Sequence, residues 1–370
     1  LPVPVSAQTE NNPHMVIDVG TGQIISGHRT NDRWYPASLT KLMTAWVTFQ
    51  AIKSGELEDG SPVVISAAAT RQPPSRMGYK KGVTLRVDTA LKIIIIKSAN
   101  DVSQALAEAV AGSLDSFVGR MNAEAARLGM VNTNFTNANG LHDRAQYTSA
   151  RDMALLSAQI IREFPEYAYM FEAVGVKTSA KTHFTYNLLL ERYSGANGLK
   201  TGFVCASGYN IAASATRNDR TLVAVVLGRS SQTDRAVSAA KLLTNGFPVA
   251  GKSSVFLPVV RGVEPINMRP ILCTEQARAA RYDPGAGAAV IDSPYLSPRK
   301  RSTNILLIAP GGVDAEPSPA VLEREFSKIT RVPIPALRPK FDPLTGQTQL
   351  PVIGGSATGT VPLPTRRPQS

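Results

Sequence analysis

The chain has 370 residues, 43% hydrophobic content and a formal net charge of +12. That length holds one large domain or two, and no uninterrupted apolar run approaches the roughly 20 residues needed to span a bilayer. With only 6% aromatics and scattered basic residues, the stacking platforms of single-strand nucleic-acid binders are not evident, and the charge fits a carboxylate-bearing polymer at least as well.

Near the start, Val5-Ser6-Ala7 is a small-residue pattern like the end of a secretory leader, with a flexible N-terminus as the alternative. Met15 to Asp18 and Gln23 to Ile25, separated by Gly20-Thr21-Gly22, read as two strands joined by a tight turn. After Pro36 the period changes. Leu39, Leu42, Met43, Trp46, Phe49 and Ile52 recur every three or four positions, which predicts a helix with one broad apolar face ending at Lys53 and Gly55, and places Ser38 at its N-terminus. A second helix is expected from Asp88 through Ile93 to Ile96, and a third opens with Asp101 as its cap and stops near Gly112. Phe117 to Leu128 and a helix opened by the Ser149-x-x-Asp152 capping pattern follow, the latter ending before Pro165.

From Leu199 the pattern turns to β. Leu199 to Cys205, Tyr209 to Thr216 and Thr221 to Gly228 predict an antiparallel meander, closed by a helix from Arg235 to Leu243. If the first two strands join that sheet, the result is an α+β architecture, with helices flanking one antiparallel sheet built from both chain ends. The expected organisation is a flexible segment over 1–12, a catalytic domain over 13–250 and a low-order, Pro-rich C-terminal extension over 251–370 whose first part packs on the core. The two cysteines, Cys205 and Cys273, permit one disulfide in an oxidising compartment, two unbridged thiols being the alternative.

Three motifs stand in order: Ser38-Leu39-Thr40-Lys41, Ser98-Ala99-Asn100 and the chain's single Lys200-Thr201-Gly202. Each alone is weak. Ser-x-x-Lys recurs at Ser238 to Lys241 and Ser297 to Lys300. A serine hydroxyl needs a base within about 3 Å to become a nucleophile. Lys41, three residues along a helix from Ser38, presents its amine on the same face, and burial with Lys200 nearby favours its neutral form. Ser98 offers a hydroxyl for proton relay and Asn100 an amide to hold the lysine or a substrate carbonyl. Gly202 admits a close substrate backbone, while Lys200 and Thr201 meet an anionic group. No Gly-x-Ser-x-Gly elbow, His-Glu-x-x-His or Cys-x-x-Cys occurs, so no metal or cofactor is expected.

With these motifs placed, the chain resembles the low-molecular-mass penicillin-binding D-alanyl-D-alanine carboxypeptidases. The longer strings Tyr35 to Lys41, Lys97 to Asp101, Asn139-Gly140-Leu141, Gly198 to Phe203 and Lys241 to Phe247 carry the likeness, over roughly residues 13 to 250. The resemblance implies a β-lactamase-like fold and an acyl-enzyme on Ser38. It further implies Lys41 as base, with Ser98, Asn100 and Lys200 in the catalytic site and an oxyanion hole from the N–H groups of Ser38 and Phe203. Arg235 would receive the substrate's terminal carboxylate with Thr201 beside Gly202, as a guanidinium pairs well with a carboxylate. The implied partners are peptidoglycan stem peptides, with β-lactams as covalent inhibitors, no nucleic acid, and membrane attachment left open. The implied location is periplasmic or otherwise outside the cytoplasm, after removal of a signal peptide. Phe203 departs from the histidine many members carry there, and Leu363 to Ser370 has no amphipathic period. A crosslink-cutting endopeptidase and a non-catalytic peptidoglycan-binding scaffold are the alternative readings.

Overall fold

The computed structural model describes residues 11–249, 259–279, 288, 290–312, 340–342 and 347–349. Val5-Ser6-Ala7, Leu363 to Ser370 and most of the expected C-terminal extension lie outside the described residues. Its centre is one antiparallel sheet of five strands: β1 (His14–Asp18), β2 (Ile24–His28), β3 (Ala196–Val204), β4 (Gly208–Arg217) and β5 (Arg220–Arg229). The spatial order is β2-β1-β5-β4-β3, so the N-terminal hairpin extends the late meander and β3 is an edge.

Strand alternation divides the sheet's two faces. Met15, Ile17, Ala212, Val223 and Val225 join one apolar cluster with most of the helices. Val16, Ile211, Ala213, Leu222, Ala224 and Val226 join the other, against Ala236, Ala239, Ala240 and Leu243 of α6 (Gln232–Gly246), numbered after the five helices described next. The small residues of α6 let it lie close on the sheet. The result is three layers, helix, sheet and helical cluster, as the alternating strand pattern and the α+β expectation require.

The helical layer comprises α1 (Thr40–Lys53), α2 (Val87–Ile96), α3 (Asn100–Ala111), α4 (Leu114–Arg127) and α5 (Ala150–Glu163). The expected single apolar face of α1 is corrected: every residue from Thr40 to Phe49 is buried, because α2, α3, α4 and α5 surround it. Most of its buried polar side chains find partners, as burial requires, Thr40 Oγ1 having none among the described residues. Thr44 Oγ1 donates to Ala138 O (2.7 Å), Thr48 Oγ1 to Thr44 O (2.8 Å) and Trp46 Nε1 to Glu124 Oε2 (2.7 Å). At α5 the expected cap forms, with Ser149 Oγ accepting from Asp152 N at 3.1 Å. At α3 it does not: Ala99 is the N-cap, and Asp101 lies inside the first turn with another task described below.

The chain beyond residue 250 is more ordered in its described parts than its proline content suggests. The described residues fall into two units, 1–323 and 324–370, the second described only as the antiparallel pair Lys340–Asp342 and Gln347–Gln349. Within the first unit, Ile305–Leu307 pairs in parallel with Gly175–Lys177, itself in a hairpin with Thr182–Phe184. Met268 and Leu272 enter the main core, and Ile291 and Leu296 the second cluster. These attachments are single residues and three-residue strands, too short to produce a hydrophobic period in the sequence. No helix of the described residues is long and apolar enough to cross a membrane.

Cys205 and Cys273 form a disulfide with Cα atoms 5.7 Å apart, and Met268 N donates to Ala206 O at 2.9 Å beside it. The bond closes a loop of 68 residues in sequence. Replacing both with serine is expected to lower stability by about 2–4 kcal/mol through release of unfolded-chain entropy. Urea denaturation under non-reducing conditions measures it; an unchanged midpoint would show that the bond contributes nothing.

Candidate active site

The turn that carries Ser38 is fixed from three sides. Ala37 takes a positive φ of 48° and opens a single 3₁₀ turn, Ala37–Leu39, that runs directly into α1. Asn210 on β4 donates through Nδ2 to Tyr35 O (2.9 Å) and Pro36 O (3.1 Å) and accepts from Gly228 N (2.8 Å), tying the turn to the sheet. Gly202 lies against it so closely that a Cβ there would stand 2.9 Å from Ser38 N. Gly140, at φ +86°, comes closer still, and a Cβ on it would overlap the Ala37 carbonyl.

Lys41, the second residue of α1 and one turn beyond Ser38, is fully buried. Its Nζ stands 3.2 Å from Ser38 Oγ, 2.8 Å from Asn100 Oδ1 and 2.5 Å from Asn139 O. Burial, followed by the nearby Lys200 charge, holds its amine well below the ordinary lysine value, with Asp101 opposing. The two carbonyl oxygens only accept. A neutral amine therefore commits both N–H bonds to Asn100 and Asn139, leaving its lone pair for the Ser38 hydroxyl.

Ser98 occupies the α2–α3 connection with φ +63°, a left-handed conformation that non-glycine residues rarely adopt. Its buried Oγ has no hydrogen-bond partner among the described residues and lines the cleft. Asn100 is held from behind by donating through Nδ2 to Pro73 O (3.0 Å), and its N–H donates to Ser75 O (2.7 Å). Asp101, expected as a cap, instead accepts from Met77 N and Gly78 N at 2.8–3.1 Å and so pins the 73–78 loop over the site.

The opposite wall is β3. Lys200, expected at a strand start, lies mid-strand; it is buried, donates to Thr201 O at 3.1 Å and is lowered to about 7 by burial and by Arg235. Arg235 lies in the first turn of α6. It is 2% exposed, donates through Nη2 to Tyr186 O (2.7 Å) and through Nη1 makes longer contacts to Gly202 O (3.4 Å) and Asn210 O (3.5 Å). Between the walls lies a cleft of about 690 Å³, lined among others by Ser38, Ser98, Asn100, Thr201, Gly202, Phe203 and Arg235. Lys41 and Lys200 lie behind it.

All nine sequence-selected residues thus meet at one place. The competing Ser-x-x-Lys pairs do not: Ser238 Oγ bonds Asp234 (3.4 Å), and Ser297 lies by Arg192, its N–H donating to Arg192 O (2.9 Å). Sequence reasoning left several lining residues unassigned, notably Asn139, Arg76, Tyr186 and Gln232. Asn139 acts through its backbone carbonyl, which no residue pattern announces, although the Asn139-Gly140 turn is itself visible.

A family model described as D-alanyl-D-alanine carboxypeptidase, peptidase S11, matches residues 3–231. The chain belongs to the D-alanyl-D-alanine carboxypeptidase family. A curated member, DacA of Haemophilus influenzae, is 36% identical over 259 residues, covering 66% of this chain. The chain spans 63% of the length of that relative. Penicillin-binding protein 5 of the same organism superposes with a TM-score of 0.62 at 33% identity, over 67% of this chain and 72% of that one. Penicillin-binding protein D2 of Listeria monocytogenes, solved with cefotaxime bound, gives a TM-score of 0.59 at 27% identity over 67% of this chain and 99% of that one. The carboxypeptidase-family fold and the sheet-plus-helices expectation agree.

Because Gly202 approaches backbone rather than a movable side chain, Gly202→Ala must push β3 away from the Ser38 turn. The expected result is a loss of at least about 100-fold in the rate of acylation by a fluorescent penicillin, as displacements near 1 Å cost this much. Stopped-flow labelling, with circular dichroism to verify folding, checks it; an unchanged rate would remove the close approach from the account.

Proposed function

We propose that the chain is a serine D-alanyl-D-alanine carboxypeptidase that releases the terminal D-Ala of peptidoglycan stem pentapeptides through an acyl-enzyme on Ser38, and that β-lactams acylate the same oxygen. The observation that carries this reading is Lys41, buried, with its two N–H bonds taken by fixed acceptors and Ser38 Oγ 3.2 Å away.

In the proposed reaction Lys41 Nζ takes the Ser38 proton as Oγ attacks the carbonyl carbon of the penultimate D-Ala. Charge develops on the carbonyl oxygen, where the N–H groups of Ser38 and Phe203 receive it. The proton passes to the leaving amine nitrogen by way of the Ser98 hydroxyl, whose empty hydrogen-bonding capacity suits a relay. The C–N bond breaks and D-Ala departs. Water then attacks the ester, returning its proton through Lys41, and the tetrapeptide is released. Asn100 fixes the lysine, and Lys200, itself lowered to about 7, repels a charge on it while protonated. Thr201 and Arg235 hold the terminal carboxylate, while Gly202 and Phe203 line the path of the substrate backbone. The disulfide suits a compartment outside the cytoplasm, where such bonds persist.

Ser38→Ala is expected to abolish covalent labelling by a fluorescent penicillin, with turnover reduced by up to about 10⁶-fold by analogy with other serine nucleophiles. Retained labelling in that variant would move the nucleophile elsewhere.

A charge-assisted contact to the terminal carboxylate is worth roughly 1.5–3 kcal/mol. Arg235→Ala should therefore lose about 10- to 100-fold in kcat/KM for a free-acid pentapeptide. The C-terminal amide should begin poor and lose little more. Equal losses for both peptides, measured by D-Ala or D-alaninamide release, would take Arg235 out of the site.

A further inference from the structure

The cleft has one sign of charge. Its lining contains Arg76, Lys97 and Arg235 and, among the described residues, no aspartate or glutamate. One carboxylate at the end of the substrate accounts for Arg235. Arg76 and Lys97 remain.

Both belong to the helical wall. Lys97 ends α2 beside Ser98, half-buried, with its Nζ 5.8 Å from the Tyr186 ring centre. Arg76 is exposed on the loop that Asp101 pins, and its recorded side-chain hydrogen bond is a 3.4 Å contact from Nη1 to Gln72 O. Ser75 Oγ donates to Lys97 O at 3.2 Å, which brings the backbone of residue 76 alongside that of residue 97. Neither cation has a carboxylate partner among the described residues, in contrast to Arg29, Arg120 and Arg220, each of which does. Asp101, buried in the first turn of α3, already accepts from Met77 N and Gly78 N. The field at this end is positive enough that Lys97 and Lys181, after burial, hold His183 below its ordinary value.

We propose that Arg76 and Lys97 form a second anion subsite, which receives a side-chain carboxylate of the substrate upstream of the scissile bond. This rests on the carboxypeptidase reading and narrows its substrate class. The leaving residue is a single D-Ala whose one carboxylate goes to Arg235, so any further negative charge enters with the acyl-donor part. The class selected is a stem peptide whose residue before the D-Ala pair carries a free carboxylate rather than a carboxamide.

The test uses two synthetic pentapeptides that differ only in that carboxylate or carboxamide, both with a free C-terminus. The primary readout is protection of Ser38 from fluorescent-penicillin labelling, which requires binding but not turnover; release of D-Ala is followed in parallel. The wild type should prefer the acid by about 10-fold, from two partly screened ion pairs. The preference should vanish in Arg76→Gln/Lys97→Gln and shrink as salt is raised to about 0.5 M. Arg76→Gln alone, on an exposed loop, should lower it about threefold and serves if the double variant fails to fold. Equal protection by both peptides in the wild type, no protection by the acid, or a preference that survives in a folded variant overturns the subsite. Protection without D-Ala release would instead overturn the carboxypeptidase reading, and the comparison of acid with amide would still decide the subsite.

Discussion

A lysine amine with no exposure to solvent, set between two carbonyl oxygens and a serine hydroxyl, is the constraint on which the rest depends. Burying an ammonium is costly enough that the group gives up its proton instead. At Lys41 burial supplies the desolvation and Lys200 adds repulsion, while Asp101, which opposes them, is engaged by its backbone donors at the 73–78 loop. The consequence is directional as well as energetic. Asn100 and Asn139 take the two N–H bonds, so the remaining valence of the nitrogen points at Ser38.

The same requirement explains why the parts come from distant stretches of chain. A helix interior gives burial but no cleft, and a sheet edge gives a cleft but little burial. Setting the N-terminal end of a helix buried from Thr40 to Phe49 against the edge strand β3 gives both. Gly202 permits that contact, Gly140 admits the 139–141 loop to the same turn, and Asn210 holds the turn from the next strand. Several features here oppose stability: two buried lysines, a left-handed Ser98 and an unpartnered hydroxyl. Such local conflicts gather at functional sites, where the surrounding core sustains them.

Much of this was legible in the residue pattern, for identifiable reasons. The strands of the meander alternate cleanly because the sheet is covered on both faces by different clusters, and Ser149 announces its helix because an N-cap is a local interaction. Ser38, Lys41, Ser98, Asn100 and Lys200 were found through motif order, since each contributes a side chain of distinctive chemistry. What escaped depends on tertiary placement. The all-round burial of α1 comes from neighbours far along the chain, Asp101 reads as a cap until the 73–78 loop is seen above it, and the 259–312 region attaches through isolated residues such as Leu272 and Ile305. The bridge between Cys205 and Cys273 required a spatial distance that spacing does not give.

The state of one proton decides the account. Protein carrying ¹⁵N-labelled lysine, compared with a Lys41→Met variant to assign the signal, allows the Lys41 amine to be titrated directly by NMR. An amine that stays neutral below the ordinary lysine value of 10.5 and gains its proton only well beneath it is the predicted result. An ammonium that persists until the pH nears 10.5 would contradict it, and with it the assignment of Lys41 as the base.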